Sequence, residues 1–164
     1  MQSILNPPAP EKSQRGAHGV VFRDGDQVMQ IKNNYSVEWV KEGLEGLGIF
    51  NGDIGEIDSI YASAESMLID FDGRMTDYAF SQLEELEHAY AITVHKSQGS
   101  EYPVVILPLY NCAPMLLTRN LLYTAVTRAS KMVILVGRKS VLTTMVENDR
   151  HAARYTGLKH FLKG

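Results

Sequence analysis

At Ala89 the hydrophobic pattern of this chain changes period, and that change divides whatever the chain folds into. Upstream, apolar residues come in short alternating runs: Gln27 to Lys32, Ile54 to Tyr61, Met67 to Phe71 and Thr76 to Phe80. Alternation of this kind marks half-buried strands. Asp72-Gly73, between the last two runs, is the dipeptide that a two-residue hairpin turn prefers. Four or five short strands joined by turns predict a small antiparallel β-barrel over residues 18–86. Within it, Ser36 to Gly48 is polar and glycine-rich around Trp39 and reads as a long hairpin loop. Downstream, Ala89 to Thr93, Val104 to Leu109 and Met132 to Gly137 read as buried strands, the last two continuously apolar as parallel strands are. Between them Thr118 to Ser130 spaces Leu122, Val126 and Ala129 as an amphipathic helix, and Ser140 to Asn148 suggests a second. Residues 87–150 are thus expected to form an α/β layer. Residues 1–17, with Pro7, Pro8 and Pro10, read as an extended linker, and residues 151–164 as a basic tail.

Charge divides the chain at nearly the same place. From His18 to Leu86 there are 14 Asp/Glu against 4 Lys/Arg, whereas Glu87 to Gly164 has 10 Lys/Arg against 4 Asp/Glu. The overall charge of −3 hides this contrast. Between Tyr102 and Val146 there is no acidic residue, yet Arg119, Arg128, Lys131, Arg138 and Lys139 all fall there. The second part therefore suits phosphates, and an acidic first part does not. A length of 164 residues allows one ordinary domain or two small ones. A single cysteine, Cys112, excludes an internal disulfide framework and a multi-cysteine zinc site, and reads as a buried thiol. No apolar run is long enough to span a bilayer and no secretory pattern opens the chain, so a cytoplasmic protein without membrane contact is expected.

Two runs carry chemistry. Ala89 to Leu109 contains the small-polar cluster Thr93, His95, Lys96, Ser97, Gln98, Gly99, Ser100 and Glu101. This is expected at the C-terminal end of a strand, where open α/β sheets bind ligands. Gly99 permits close backbone approach, Glu101 can accept from a sugar hydroxyl, and Thr93, His95 and Ser97 can donate to phosphate oxygens. In the second run, Arg119 to Lys131, an amphipathic helix packed on the sheet puts Thr124 and Arg128 on one flank. Arg128 is then placed to neutralise charge on a transferring phosphoryl group.

These runs, in this order, resemble motifs V and VI of superfamily 1 helicases, and most closely those of the RecD-like DNA helicases. Gly25 to Tyr35 and Asn51 to Gly55 are similar to the family's stretch before motif V, where an SH3-like β-barrel is inserted in the second motor domain. Ile4-Leu5-Asn6-Pro7-Pro8 is similar to the segment leading into that barrel. The resemblance spans nearly the whole chain. It implies α/β plus small all-β architecture: part of a RecA-like P-loop motor domain, three-layered with a parallel sheet, carrying the barrel. It also implies a motor using ATP and Mg2+ to translocate on single-stranded DNA and unwind duplex DNA. Gly99, Glu101 and Arg128 would meet the nucleotide, Glu101 at the ribose and Arg128 at the γ-phosphate, as the catalytic finger. Thr93, His95 and Ser97 would face DNA or couple it to the nucleotide.

The chain lacks G-x-x-x-x-G-K-[ST], since it contains no Gly-Lys pair, and no aspartate follows a buried strand in the Walker B manner. In the family these parts lie in the first motor domain. The chain is accordingly expected to be the C-terminal fragment of a longer helicase. Its partners would be the missing motor domain of the same polypeptide and nuclease or repair-complex subunits, and alone it would hold no ATP tightly. Two other readings compete: a non-enzymatic interaction module built on the acidic barrel, and the motor part of a conjugative relaxase-helicase, although the metal-binding His cluster of a relaxase is missing from this sequence. Residue by residue, His95 can be an ordinary surface histidine, Arg128 a solvated flank charge or an anchor for Glu101, and Glu101 a cap before Pro103. Tyr102 and Tyr123 read as packing residues, and Glu84 to Glu87 as a solvated face.

Overall fold

A computed structural model of the chain describes residues 1–110 and 113–149. Cys112 and the tail 151–164 lie outside the described residues. The chain divides into two compact units, Met1–Thr93 and Val94–Gly164.

In the first unit nine strands form, more than the four or five expected. A short helix α1 (Gln2–Leu5) precedes β1 (Gln14–Ala17) and β2 (Val20–Arg23), which pair as a hairpin. Then come β3 (Gln27–Gln30), β4 (Asn34–Lys41), β5 (Leu44–Ile49), β6 (Ile54–Tyr61), β7 (Ser66–Phe71), β8 (Arg74–Ala79), a 3₁₀ turn (Phe80–Glu85) and β9 (Leu86–His88). Strands β3 to β9 make one seven-stranded sheet in the order β5-β4-β8-β7-β6-β3-β9, with antiparallel pairings throughout. Its core includes Phe22, Val28, Ile49, Ile57, Ile69 and Phe71, all nearly or fully buried. Turn chemistry sets the connections. Asp72-Gly73, at φ 56° and 80°, joins β7 to β8 as its sequence predicts, and Glu42-Gly43, at φ 51° and 82°, does the same for β4 and β5.

That second turn corrects the reading of 36–48 as a long loop. Glycine-rich composition there serves a close packing, because the Trp39 ring lies on Gly46, its cross-strand partner, and a Cβ would stand 2.2 Å from the ring. Residues 1–17 are not a bare linker either. Asn6 is buried and donates to Asp24 O (3.0 Å) and Asp26 Oδ1 (2.6 Å). Nor is Glu84 to Glu87 wholly solvated: Leu86 is buried, and Glu85 Oε2 accepts from Gln30 and Asn34.

Asp26, fully buried, gathers five donors from three parts of the unit. Gln2 Nε2 (2.6 Å) and Asn6 Nδ2 come from the entering segment, Arg23 N (2.9 Å) from its own turn, and Tyr90 Oη (2.6 Å) and the His88 ring (3.2 Å) from the leaving segment. Lys12 and Arg23 extend the network through Asn6.

The second unit contains β10 (Tyr102–Leu109), a 3₁₀ turn (Pro114–Leu116), α2 (Arg119–Val126), β11 (Ala129–Gly137) and α3 (Lys139–Glu147). β10 and β11 pair in parallel, Tyr102 opposite Ala129 and Leu109 opposite Gly137. Leu109, Leu122 and Met145 form a small core between this pair and the helices. The expected helix over 118–130 is shorter: Thr118 caps it by accepting from Leu121 N, Val126 ends it, and Ala129 already belongs to β11. Its buried residues are Leu122 and Ala125, not Val126 and Ala129. Ala89 to Thr93 forms no strand. The strands are not buried as expected, since Val104, Ile106, Met132, Ile134 and Val136 stand exposed on the face away from the helices, Ile106 by 65%. Gly137, at φ 148°, ends β11 where a Cβ would lie 2.1 Å from Leu109 O. No helix among the described residues is long and apolar enough to cross a membrane.

Two predictions follow from the Asp26 network. Asp26→Ala leaves several buried donors without an acceptor and lowers stability to urea by roughly 3 kcal/mol, with Asp26→Asn intermediate; Trp39 fluorescence follows the transition. Burial, then the bond to Asp26 and its charge, pushes the Tyr90 phenol from its ordinary value near 10 up to about 12. Between those values the unfolded chain ionises first, so stability falls as pH rises through that window. Tyr90→Phe makes the alkaline loss shallower but does not abolish it, because burial also raises Tyr78.

Candidate nucleotide and nucleic-acid site

Parallel pairing brings the two chemical runs together. Glu101 and Arg128 immediately precede Tyr102 and Ala129, which are opposite one another, and Tyr102 N donates to Arg128 O (2.8 Å). The cluster therefore sits at the N-terminal end of the parallel pair, not at the C-terminal end of a preceding strand.

Successive tight turns shape the segment before β10. Ser97 Oγ donates to Val94 O (2.8 Å), Gln98 N to His95 O (3.3 Å) and Ser100 N to Ser97 O (3.1 Å). Gly99 takes φ 87°, and a Cβ there would meet nothing within 4 Å, so backbone conformation, not crowding, requires glycine. Arg128 is half-buried. Its Nε donates to Thr124 O (3.3 Å) and its Nη1 to Ser100 O (3.1 Å), tying the end of α2 to the turn. The carboxylate of Glu101 belongs to an exposed residue.

A cleft of about 180 Å³ opens between this segment and the start of α2, lined by Val94, His95, Gln98, Thr118, Asn120, Leu121 and Thr124. His95 and Gln98 thus share a wall with the N-terminal turn of α2, where Arg119 N donates to Asn148 O (2.8 Å) and Leu121 N to the Thr118 hydroxyl (3.3 Å). Thr118 and Asn120 were not among the residues expected here; a Thr cap before an apolar helical run was the available signal. Ser97 is buried and already bonded to its own turn. Thr93 is exposed and closes the first unit. Tyr123, read as a packing residue, is 70% exposed, whereas the Tyr102 hydroxyl is buried without a partner among the described residues. Among those residues no three His, Cys, Asp or Glu side chains gather as a metal site.

Along the chain an antiparallel β-unit is thus followed by two polar runs that meet at one end of a parallel pair. Residues 1–71 match the family described as the ATP-dependent RecD-like DNA helicase SH3 domain, and residues 88–136 the UvrD-like helicase C-terminal domain. The chain belongs to the RecD-like helicases. It is 35% identical over 152 residues to the ATP-dependent RecD2 DNA helicase of Deinococcus radiodurans, covering 93% of this chain and 19% of that protein. With the RecBCD enzyme subunit RecD of Mycolicibacterium smegmatis it shares 36% over 118 residues, covering 72% of this chain and 20% of the relative. The chain thus spans about a fifth of these relatives' length. A crystal structure of Bacteroides Pif1 bound to single-stranded DNA superposes with a TM-score of 0.55 at 16% identity, over 95% of this chain and 40% of that one, a likeness of fold.

If the guanidinium holds the turn, Arg128→Ala accelerates hydrogen exchange at the Ser100 amide by about tenfold while leaving Leu107 in β10 unchanged. Equal acceleration at both would show that Arg128 merely supports the fold.

Proposed function

We propose that this chain is the C-terminal part of the second motor domain of an ATP-dependent DNA helicase. On this reading residues 18–86 are an SH3-like barrel insertion, residues 87–150 belong to a RecA-like parallel sheet, and β10 and β11 are two of its strands. The observation that carries the reading is the parallel register that sets Glu101 beside Arg128. Two residues with complementary reach, one for a ribose hydroxyl and one for a phosphate, come to one end of the sheet from stretches 27 positions apart in the sequence.

Their surroundings fit a nucleotide edge. Gly99 leaves open space on its Cα, Glu101 is exposed, and Arg128 is held by two carbonyls through bonds of 3.1 and 3.3 Å, so its side chain is oriented before any ligand arrives. A guanidinium offers five donors, of which those two bonds use part, and the remainder can turn to a γ-phosphate. When bound between two motor domains, ATP with Mg2+ supplies the energy of phosphoryl transfer; this chain contributes the finger and the ribose contact. His95 faces the cleft with Gln98 and Asn120, a set of donors suited to the backbone of single-stranded DNA. Thr93 is assigned to the same strand. Ser97 acts through the turn it closes, and so couples the DNA-facing His95 to the nucleotide-facing Gly99 and Glu101.

The chain alone has no phosphate cradle, and is expected to show neither ATP hydrolysis nor unwinding. It binds single-stranded DNA weakly, and less at higher salt. The test is a complete RecD-like helicase in which this chain replaces the equivalent residues. Arg128→Ala in that chimera lowers kcat for ATP at least about 100-fold with little change in DNA affinity, whereas His95→Ala weakens DNA binding first. A chimera that hydrolyses ATP at the parental rate without Arg128, or ATPase from the 164-residue chain alone that Arg128→Ala abolishes, overturns the assignment.

A further inference from the structure

The β4–β5 hairpin has no task in the helicase reading, and it ends the seven-stranded sheet, β5 having β4 as its one sheet neighbour. The Glu42-Gly43 turn makes Lys41 and Leu44 the closing pair. Antiparallel pairs alternate between exchanging and not exchanging bonds, so Trp39 and Gly46 exchange as well, while Glu45 and Leu47 turn their amides and carbonyls away from β4. An open edge of this kind accepts another extended chain.

The two faces of the hairpin differ. Trp39 and Lys41 share one, where Trp39 covers Gly46 and the Lys41 ammonium donates to Asp72 O (2.6 Å). On the other stand Val40 and Leu47, 47% and 63% exposed, with Glu38 and Glu45 beside them. Lys41 is the one cation between Asn34 and Ile49, and it is engaged on the opposite face. A second copy of the chain would bring its own Glu38 and Glu45 against these, and nucleic-acid phosphates would meet the same carboxylates. Because Glu38, Val40, Glu45 and Leu47 share this face and strand side chains alternate between faces, the segment that fits carries Lys or Arg and an aliphatic residue two positions apart (Lys-x-Val-x): it pairs with the edge, covers Val40 and Leu47, and neutralises the glutamates.

We propose that β5 is a docking edge for an extended segment of a partner protein that carries basic and aliphatic side chains on one face, two positions apart, added as a strand beside Glu45 and Leu47. This surface is independent of the nucleotide end of the second unit.

The test uses the 164-residue chain and a fluorescein-labelled Lys-Thr-Val-Thr-Lys-Thr-Val heptapeptide, whose Lys and Val side chains share one face, followed by polarisation and by emission of Trp39, the one tryptophan. Expected is saturable binding that weakens at least about tenfold between low and high salt. The exposed double substitution Glu38→Lys and Glu45→Lys lowers affinity at least about tenfold and accepts the same peptide with Glu in place of Lys instead. A peptide methylated on alternate backbone nitrogens, which cannot pair, does not bind; this control needs no change to the protein. The proposal is overturned if the lysine peptide fails to bind, if the methylated peptide or the glutamate peptide binds wild type equally, if oligothymidylate displaces the peptide, or if the chain self-associates through an edge that the double substitution breaks.

Discussion

Two parallel strands cannot be joined by a tight turn, and the chemistry of this chain rests on that constraint. The polypeptide leaves the far end of β10 at Leu109 and must travel back before β11 can begin beside Tyr102. Helix α2 makes most of the return, and Thr118 and Asn148 secure its start: Thr118 accepts from Leu121 N, and Asn148 donates to Leu117 O. Because the return ends where β10 starts, Arg128 arrives next to the Ser100 carbonyl and adjoins Glu101. A crossover of another length would deliver the arginine to another rung, and the turn at 97–100 would lose its brace.

The first unit is organised around a different constraint, a carboxylate removed from water. Asp26 is tolerable there because five donors surround it, and those donors come from the entering and leaving segments as well as from the turn itself. The chain therefore crosses this unit with both of its connections fastened at one point. Gln2 and Asn6 belong to a stretch that proline content marks as irregular, yet polar side chains hold it in place without an apolar core.

Much of this was legible in the sequence, and the failures have physical causes. Asp72-Gly73, the alternation in β6 and the continuous apolar runs of β10 and β11 report local backbone preferences, and the strands stand where those preferences put them. The β4–β5 hairpin was misread because its glycines, taken as loop residues, serve a packing between strands, Gly46 beneath Trp39, that no local pattern announces. Arg128 and Glu101 were recognisable as a pair through motif order, but their meeting at the N-terminal end of the strands depends on parallel register. The network around Asp26 was illegible, since its partners lie up to 64 positions apart. Thr118 and Asn120 went unnoticed because a cap residue looks structural until the cleft beside it is seen.

The uncovered face of the parallel pair has a thermodynamic consequence. A core of Leu109, Leu122 and Met145 is small for a unit of this length, while Val104, Ile106, Met132, Ile134 and Val136 still face solvent. Apolar area of that kind stabilises a fold only when something removes it from water. Whatever lies against it adds its binding free energy to the unit's own stability. The β10–β11 pair and the Arg128 brace at its end then become more rigid or more labile together with that cover, so that the occupancy of one side of the sheet is thermodynamically linked to order at its rim.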